Sequence, residues 1–160
     1  ALLEKYGLLY KMEQSPEDIR YKISSEGRLA SISLYSRGII VNIERDTLLK
    51  AFIDHKLVEF SQDENFFLMA GSTGMRLYSV ANCRNPKWSI EFSTLLGSVL
   101  TSSPDVFISP DNSSILLVKE SSCWLLDFET GALKKKFLVE GKFKEVHWQK
   151  GWILSTYDAK

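Results

Sequence analysis

Val106-Phe107-Ile108-Ser109-Pro110-Asp111-Asn112 is a short run of β-favouring residues stopped by a cluster of turn-forming side chains. A continuous apolar run, Ile115-Leu116-Leu117-Val118, follows at strand length, and Lys119-Glu120-Ser121-Ser122 turns the chain again. Cys123 to Phe128 reads as a third strand. Glu129-Thr130-Gly131 then supplies a turn whose glycine accepts positive φ, and Lys134-Lys135-Lys136-Phe137-Leu138 is a fourth strand with a polar edge. The unit is four short antiparallel strands.

The phrase returns along the chain. Val58-Glu59-Phe60-Ser61-Gln62-Asp63 and Val146-His147-Trp148-Gln149 repeat it, and Tyr21-Lys22-Ile23-Ser24-Ser25-Glu26 is a fainter copy. The steps from Tyr21 to Val58, to Val106 and to Val146 are 37, 48 and 40 residues, a range in which no unit buries its own apolar face and each must stack on its neighbours. Four-stranded sheets stacked this way predict an all-β protein of the β-propeller class. A β-sandwich also has short strands at regular spacing, but it does not account for the returning serine and acidic turn.

Phasing the other units gives strands at 29–33, 38–43 and 48–53 after Ile23, and at 57–60, 65–70, 75–80 and 88–92 in the next unit. Gly7 to Met12 is assigned to the outer strand of a preceding blade, and 145–148 with 152–156 to the inner strands of a further one. The expected organisation is a single partial propeller over 1–160: an outer strand and linker at 1–20, blades at 21–56, 57–105 (with a long linker from Ser93) and 106–144, and inner strands at 145–160. About three complete blades therefore stand between partial ones. A four-bladed ring closed by residues 1–12 is the alternative; the partial propeller is preferred.

Ile108-Ser109-Pro110-Asp111 followed by Leu126-Asp127-Phe128-Glu129-Thr130-Gly131 resembles a WD40 repeat. The first phrase would end the innermost strand and the second the third strand. The resemblance covers roughly residues 7 to 160 and is to a divergent member: the pairs at the name-giving position are Val41-Asn42, Tyr78-Ser79 and Leu126-Asp127, and Asp54-His55 stands nearest to the family's Gly-His dipeptide. It implies a rigid ring of blades, more than four in number, that works as an interaction scaffold.

Composition narrows the function classes. Of 160 residues, 44% are hydrophobic, ordinary for a globular chain, and twenty basic residues balance twenty acidic ones. No overall field draws in nucleic acid or an anionic membrane, so neither is expected as a partner. No stretch reaches membrane-spanning length, and the Ala1-Leu2-Leu3-Glu4-Lys5 start lacks signal-peptide character. Cys83 and Cys123 form no metal-ligand or redox spacing and are expected as free thiols of an intracellular protein. Asn112-Ser113-Ser114 fits the glycosylation pattern, which matters only outside the cell.

No catalytic residue, metal ligand or cofactor site is expected. His55 and His147 are far apart with no carboxylate at ligand spacing; His147 is read as structural, and His55 as tying a loop to a blade. Gly71-Ser72-Thr73-Gly74 joins two strands and opens no helix, so it is a hairpin turn. Ser24, Ser61 and Ser109 recur at one blade position and read as strand caps, with Asp63 and Asp111 as turn residues, because a nucleophile is needed once. Trp88, Trp124, Trp148 and Trp152 read as core, and Lys134-Lys135-Lys136 as a solvated edge.

Function then falls to loops at the ends of rigid blades. One face carries Tyr35 and Arg37, Ser72 and Thr73, Lys119 and Glu120, with His55, Lys56 and the 93–105 linker; Tyr35, Arg37, His55, Lys56, Lys119 and Glu120 are the expected protein-binding residues. The leading expectation is a non-catalytic interaction scaffold within a larger intracellular complex, its open blade ends covered by the remainder of the propeller or a partner chain. The alternatives are a gating or funnel-site propeller of an enzyme, drawing on Glu59, Glu145 and His147, and a nucleic-acid-binding propeller.

Overall fold

A buried serine at the end of each inner strand organises the local structure. The computed structural model describes residues 19–34, 37–96 and 104–157. Ser24, Ser61 and Ser109 each donate their N–H to the carbonyl five residues on, of Leu29, Phe66 and Ser114, at 3.0 Å in every case. The N–H of those same three residues donates back to serine Oγ at 2.9 Å in every case. Gly27, Glu64 and Asn112 close the turns onto the serine carbonyls with φ of 77°, 56° and 54°. Side chain and backbone thus share the work of starting the next strand, and the serines are strand caps.

The acidic residue two positions after the serine stiffens the turn. Asp63 Oδ1 accepts from Ser61 Oγ at 2.6 Å and from Asn65 N–H at 3.1 Å, and Asp111 Oδ1 accepts from Ser113 N–H at 3.0 Å. Desolvation acts to raise the Asp63 carboxyl, but hydrogen bonds from Ser61, Asn65 and Asn112 outweigh it and hold it at about 2.

Between these turns run fourteen strands among the described residues. The first sheet is β1 (Ile19–Ile23), β2 (Leu29–Leu34), β3 (Arg37–Asn42) and β4 (Thr47–Ile53), paired in that order. The second is β5 (His55–Phe60), β6 (Phe66–Gly71), β7 (Gly74–Ser79) and β8 (Trp88–Glu91), followed by one short helix, α1 (Phe92–Leu96), that opens the long linker. The third is β9 (Asp105–Ile108), β10 (Ser114–Lys119), β11 (Ser122–Asp127) and β12 (Leu133–Leu138). β13 (Lys142–Trp148) and β14 (Trp152–Tyr157) form a two-stranded sheet. Every pair is antiparallel. This is the expected architecture of three four-stranded blades and a partial one; the strand expected at 7–12 lies outside the described residues.

The fourth unit departs from the repeat at its turn. Trp148 pairs directly with Trp152, so three residues close the hairpin, with Gln149 N–H bonded to Gly151 O at 2.9 Å and Lys150 at φ 55°. There is no room for the six-residue serine turn.

The core lies between the sheets, because the period-2 alternation of a strand sends successive side chains to opposite neighbours. On β6, Phe67 and Met69 join Leu29, Ile40 and Phe52 of the first sheet, while Leu68 and Ala70 join Ile115, Leu117, Trp124 and Leu126 of the third. On β10 the other parity, Leu116 and Val118, meets Val146, Trp152 and Leu154. Each fully buried Leu or Phe contributes about 1.5–3 kcal/mol, so every blade depends on the next. Two indoles add directional ties: Trp88 Nε1 donates to Phe128 O and Trp152 Nε1 to Ser114 Oγ, both at 2.9 Å. Cys83 and Cys123 are unpaired, and burial pushes both thiols up.

Candidate interaction face and axial cleft

Antiparallel pairing brings the start of each inner strand beside the end of the second strand: Ile19 faces Leu34, His55 faces Gly71, Asp105 faces Val118 and Lys142 faces Tyr157. The residues singled out from the sequence belong to this end of the blades. Arg37 opens β3 and is exposed. His55 and Lys56 open β5 rather than lying in a loop before it, and His55 Nδ1 is 3.1 Å from the carbonyl of Ile53, which joins the second blade to the last residue of the first. Lys119 ends β10, and Glu120 turns the chain toward β11 with φ 54°. Tyr35 lies outside the described residues. Ser72 and Thr73 are the two-residue connection between β6 and β7, the expected hairpin.

Of these residues, Lys56 enters a concave site. A cleft of about 440 Å³ opens where β1, β5 and β9 converge, lined by Arg20, Lys22, Ser31, Ser33, Lys56 and Glu59 among others. Lys22 Nζ bridges the first two blades, 2.9 Å from Glu59 Oε1 and 2.8 Å from the carbonyl of Val58. Arg20 and Lys56 are exposed, whereas Ser31 is only 4% exposed. No described residue partners the Lys56 ammonium or the Ser31 hydroxyl. The cleft therefore holds three cationic side chains against the carboxylates of Glu59 and Asp105.

The sequence reading missed Arg20, Lys22, Ser31 and Ser33. The signal was present in the repeat itself. Counting seven and nine residues from the capping serines, Ser31 and Ser33 stand where the second blade has Leu68 and Ala70 and the third has Leu116 and Val118. All four of those equivalents are buried and apolar. The first blade thus presents hydroxyls where the others present core.

Two further readings change. His147 is exposed and bonds Glu145 Oε2 at 3.1 Å, so it does not pack as a structural histidine in the core. The imidazole, followed by Lys144, lowers the Glu145 carboxyl. Glu59 is spoken for by Lys22. On the lysine strand, Lys134 pairs with Asp127 at 2.8 Å, and this contact together with hydrogen bonds from Thr130 holds the Asp127 carboxyl at about 2. Lys135 and Lys136 lie over the rings of Phe137 and Trp124. Asn112 of the glycosylation triplet has its Oδ1 buried in the turn. Among the described residues no three His, Cys, Asp or Glu side chains gather as a metal site, and no helix is long and apolar enough to cross a membrane.

No known protein-family pattern matches the chain, and no curated protein matches it by sequence. Solved structures do. A eukaryotic initiation factor superposes over 81% of this chain and 34% of its own, with TM-score 0.54 and 13% identity. The WD40 domain of SCAP from fission yeast gives the same coverage and TM-score at 10% identity. Hydrazine synthase of Kuenenia stuttgartiensis superposes over 79% of this chain and 39% of its own, at 0.53 and 15%. The chain thus spans little more than a third of the length of these solved chains. Serine-capped four-stranded blades, inter-blade cores and these superpositions together give the chain the fold of a partial WD40-like β-propeller.

Proposed function

We propose that this chain is a non-catalytic protein-interaction module, a subunit or domain of a larger intracellular assembly. The observation that carries the reading is the end of the blades where the inner strands begin. There Arg37, Lys56 and Glu120 are exposed on strand ends and tight turns that the sheets below hold in place. Rigid presentation of charged and aromatic side chains lowers the ordering cost of binding. The carboxylates and histidines that an active site would draw on are engaged structurally: Asp63 and Asp111 in turns, Asp127 with Lys134, Glu145 with His147, Glu59 with Lys22. Unpaired thiols suit a reducing compartment.

The open blade faces are proposed as contacts with the remainder of a propeller or a partner chain. Tyr21 and Ile23, on the outward side of the first sheet, are 77% and 56% exposed, more than a solvated strand requires.

The test is partner affinity after Tyr35→Ala with Arg37→Ala. The double variant is expected to fold normally: Arg37 is exposed at the opening of β3, and surface substitutions of this kind change stability by about 0.5 kcal/mol or less. Loss of on the order of 2 kcal/mol per hot spot would weaken a partner more than tenfold. Lys134→Gln, Lys135→Gln and Lys136→Gln together serve as the rim control. Unchanged affinity in the double variant beside a strong loss in the lysine variant would move the interface to the blade edge.

A further inference from the structure

We infer that the axial cleft is a binding site for an anionic side chain of an extended peptide, a carboxylate or a phosphate, with Arg20 and Lys56 as the recognising cations. This rests on the interaction-module reading above and names the ligand chemistry of that face.

The cleft is built by substitution at defined repeat positions. Leu68 and Ala70 of the second blade, and Leu116 and Val118 of the third, fill the gap to the following blade and are at most 3% exposed. In the first blade the same two positions are Ser31 and Ser33, which pair across the sheet with Lys22 and Arg20. Four polar side chains therefore share one patch of a sheet face whose other members, Leu29, Ile40 and Phe52, are core. Serine in the place of leucine at position 31 removes a large apolar plug, and Ser33 adds a hydroxyl where the second blade has Ala70; both line the 440 Å³ cleft.

Charge selects the ligand. Lys22 is already neutralised by Glu59 and anchored on the Val58 carbonyl. That leaves the exposed Arg20 and Lys56 cations, the hydroxyl of Ser31 and the carboxylate of Asp105 along the cleft lining. A guanidinium and an ammonium around one site suit a carboxylate or phosphate oxygen cluster, with the hydroxyl as an added donor.

Shape selects a peptide over a nucleic acid. The walls are the innermost strands β1, β5 and β9, each the first strand of its sheet and so, among the described residues, with one edge that pairs with no other strand. Such edges bond an extended main chain. A cleft of this volume admits a few residues, whereas binding to nucleic acid would need a longer track of cations to follow the backbone.

Three fluorescein-labelled peptides of one sequence test this, carrying at their centre three glutamates, one phosphoserine or one serine. Binding to the whole chain is followed by fluorescence anisotropy at low and physiological salt. The inference expects one or both anionic peptides to bind at least tenfold tighter than the serine peptide. Lys56→Gln and Arg20→Gln should each weaken that binding about fivefold or more. Which anionic peptide binds better separates carboxylate from phosphate. Ser31→Leu with Ser33→Ala, which restores the second blade's pattern, should abolish binding while leaving thermal stability unchanged or higher. Equal binding of all three peptides, or anionic binding that survives both Lys56→Gln and Arg20→Gln, overturns it. So does tighter binding of a single-stranded oligonucleotide than of any peptide. If a natural partner is lost on Arg37→Ala but kept in the Lys56→Gln, Arg20→Gln double variant, the cleft assignment falls while the interaction module stands.

Discussion

Glu64 should be the side chain that locks the first two blades together, and its removal has a calculable cost. It lies in the second blade's serine turn, its side chain 1% exposed, and reaches into the corresponding turn of the first blade. There one carboxylate oxygen accepts from the backbone N–H of Glu26 at 2.9 Å and the other from Arg28 Nε at 2.5 Å. Burial alone would raise this carboxyl; hydrogen bonds from Ser24, Glu26 and Arg28 reverse that and lower it. Glu64→Ala strips a charged acceptor from the Glu26 N–H, worth about 1.5–3 kcal/mol. The Arg28 contact adds little, because the Arg28 side chain is 46% exposed and water replaces its partner. The expected loss is about 2–3 kcal/mol, or roughly 5–10 °C in melting temperature for a chain of this size. Glu64→Gly loses the same contacts but relieves the left-handed backbone, φ 56°, by about 1 kcal/mol. Glycine should therefore be the milder change, as Gly27 at the equivalent position of the first blade suggests. Urea unfolding followed by the fluorescence of the four tryptophans measures both. An alanine variant within about 0.5 kcal/mol of the parent would refute the locking role, and a glycine variant no better than alanine would refute the backbone relief.

Gly38→Ala should cost about 2 kcal/mol or more, because a Cβ there would sit 2.4 Å from Phe52 Cζ and 2.6 Å from the Ile32 carbonyl, inside a core with no slack; a melting temperature equal to the parent's would show that Phe52 moves aside freely. Acid should destabilise the chain between about pH 4 and pH 2. The Asp63 and Asp127 carboxyls are held at about 2 in the fold, below their unfolded value, so the stability they supply is complete above that value and is lost as pH falls through the folded one. Asp63→Asn should flatten the pH dependence of unfolding over this window; an unchanged slope would contradict the turn assignment.

Strand positions were legible because two signals agree, the apolar run and the serine turn that starts it. Ser24, Ser61 and Ser109 mark the turns by chemistry that is local, five residues from end to end, so it shows in sequence. The fourth copy was legible from its apolar runs alone, its strands falling where 145–148 and 152–156 were expected. Val146-His147-Trp148-Gln149 resembles the phrase in its apolar positions but lacks the serine, and its hairpin is shorter. His147 looked structural because its neighbour is an indole; strand parity instead turns it to the side opposite Val146, beside Glu145. The reach of Glu64 into another blade was not legible at all. It depends on the stacking of two turns 37 positions apart and on a left-handed backbone that favours glycine.

The axial cleft shows how a repeat fold acquires chemistry without a motif. Stacked blades require apolar side chains at the inter-blade positions, and each fully buried leucine there contributes about 1.5–3 kcal/mol. Ser31, in the place of Leu68 and Leu116, gives up that contribution and sets a hydroxyl in the cleft wall. Such a residue persists in a stable fold only if the lost packing is offset nearby or the polar group meets something from outside. Part of the offset is visible: Lys22 crosses to Glu59 and Val58 and holds the two blades together over the gap. Lys56 is not part of that bridge. Its ammonium, on the facing strand, adds positive charge to a cleft already lined by Arg20, and a purely structural repair would have placed a carboxylate or an apolar group there. Departure from the repeat at Ser31 and Ser33, together with charge left over once the bridge is made, distinguishes a site for an incoming anion from a packing defect.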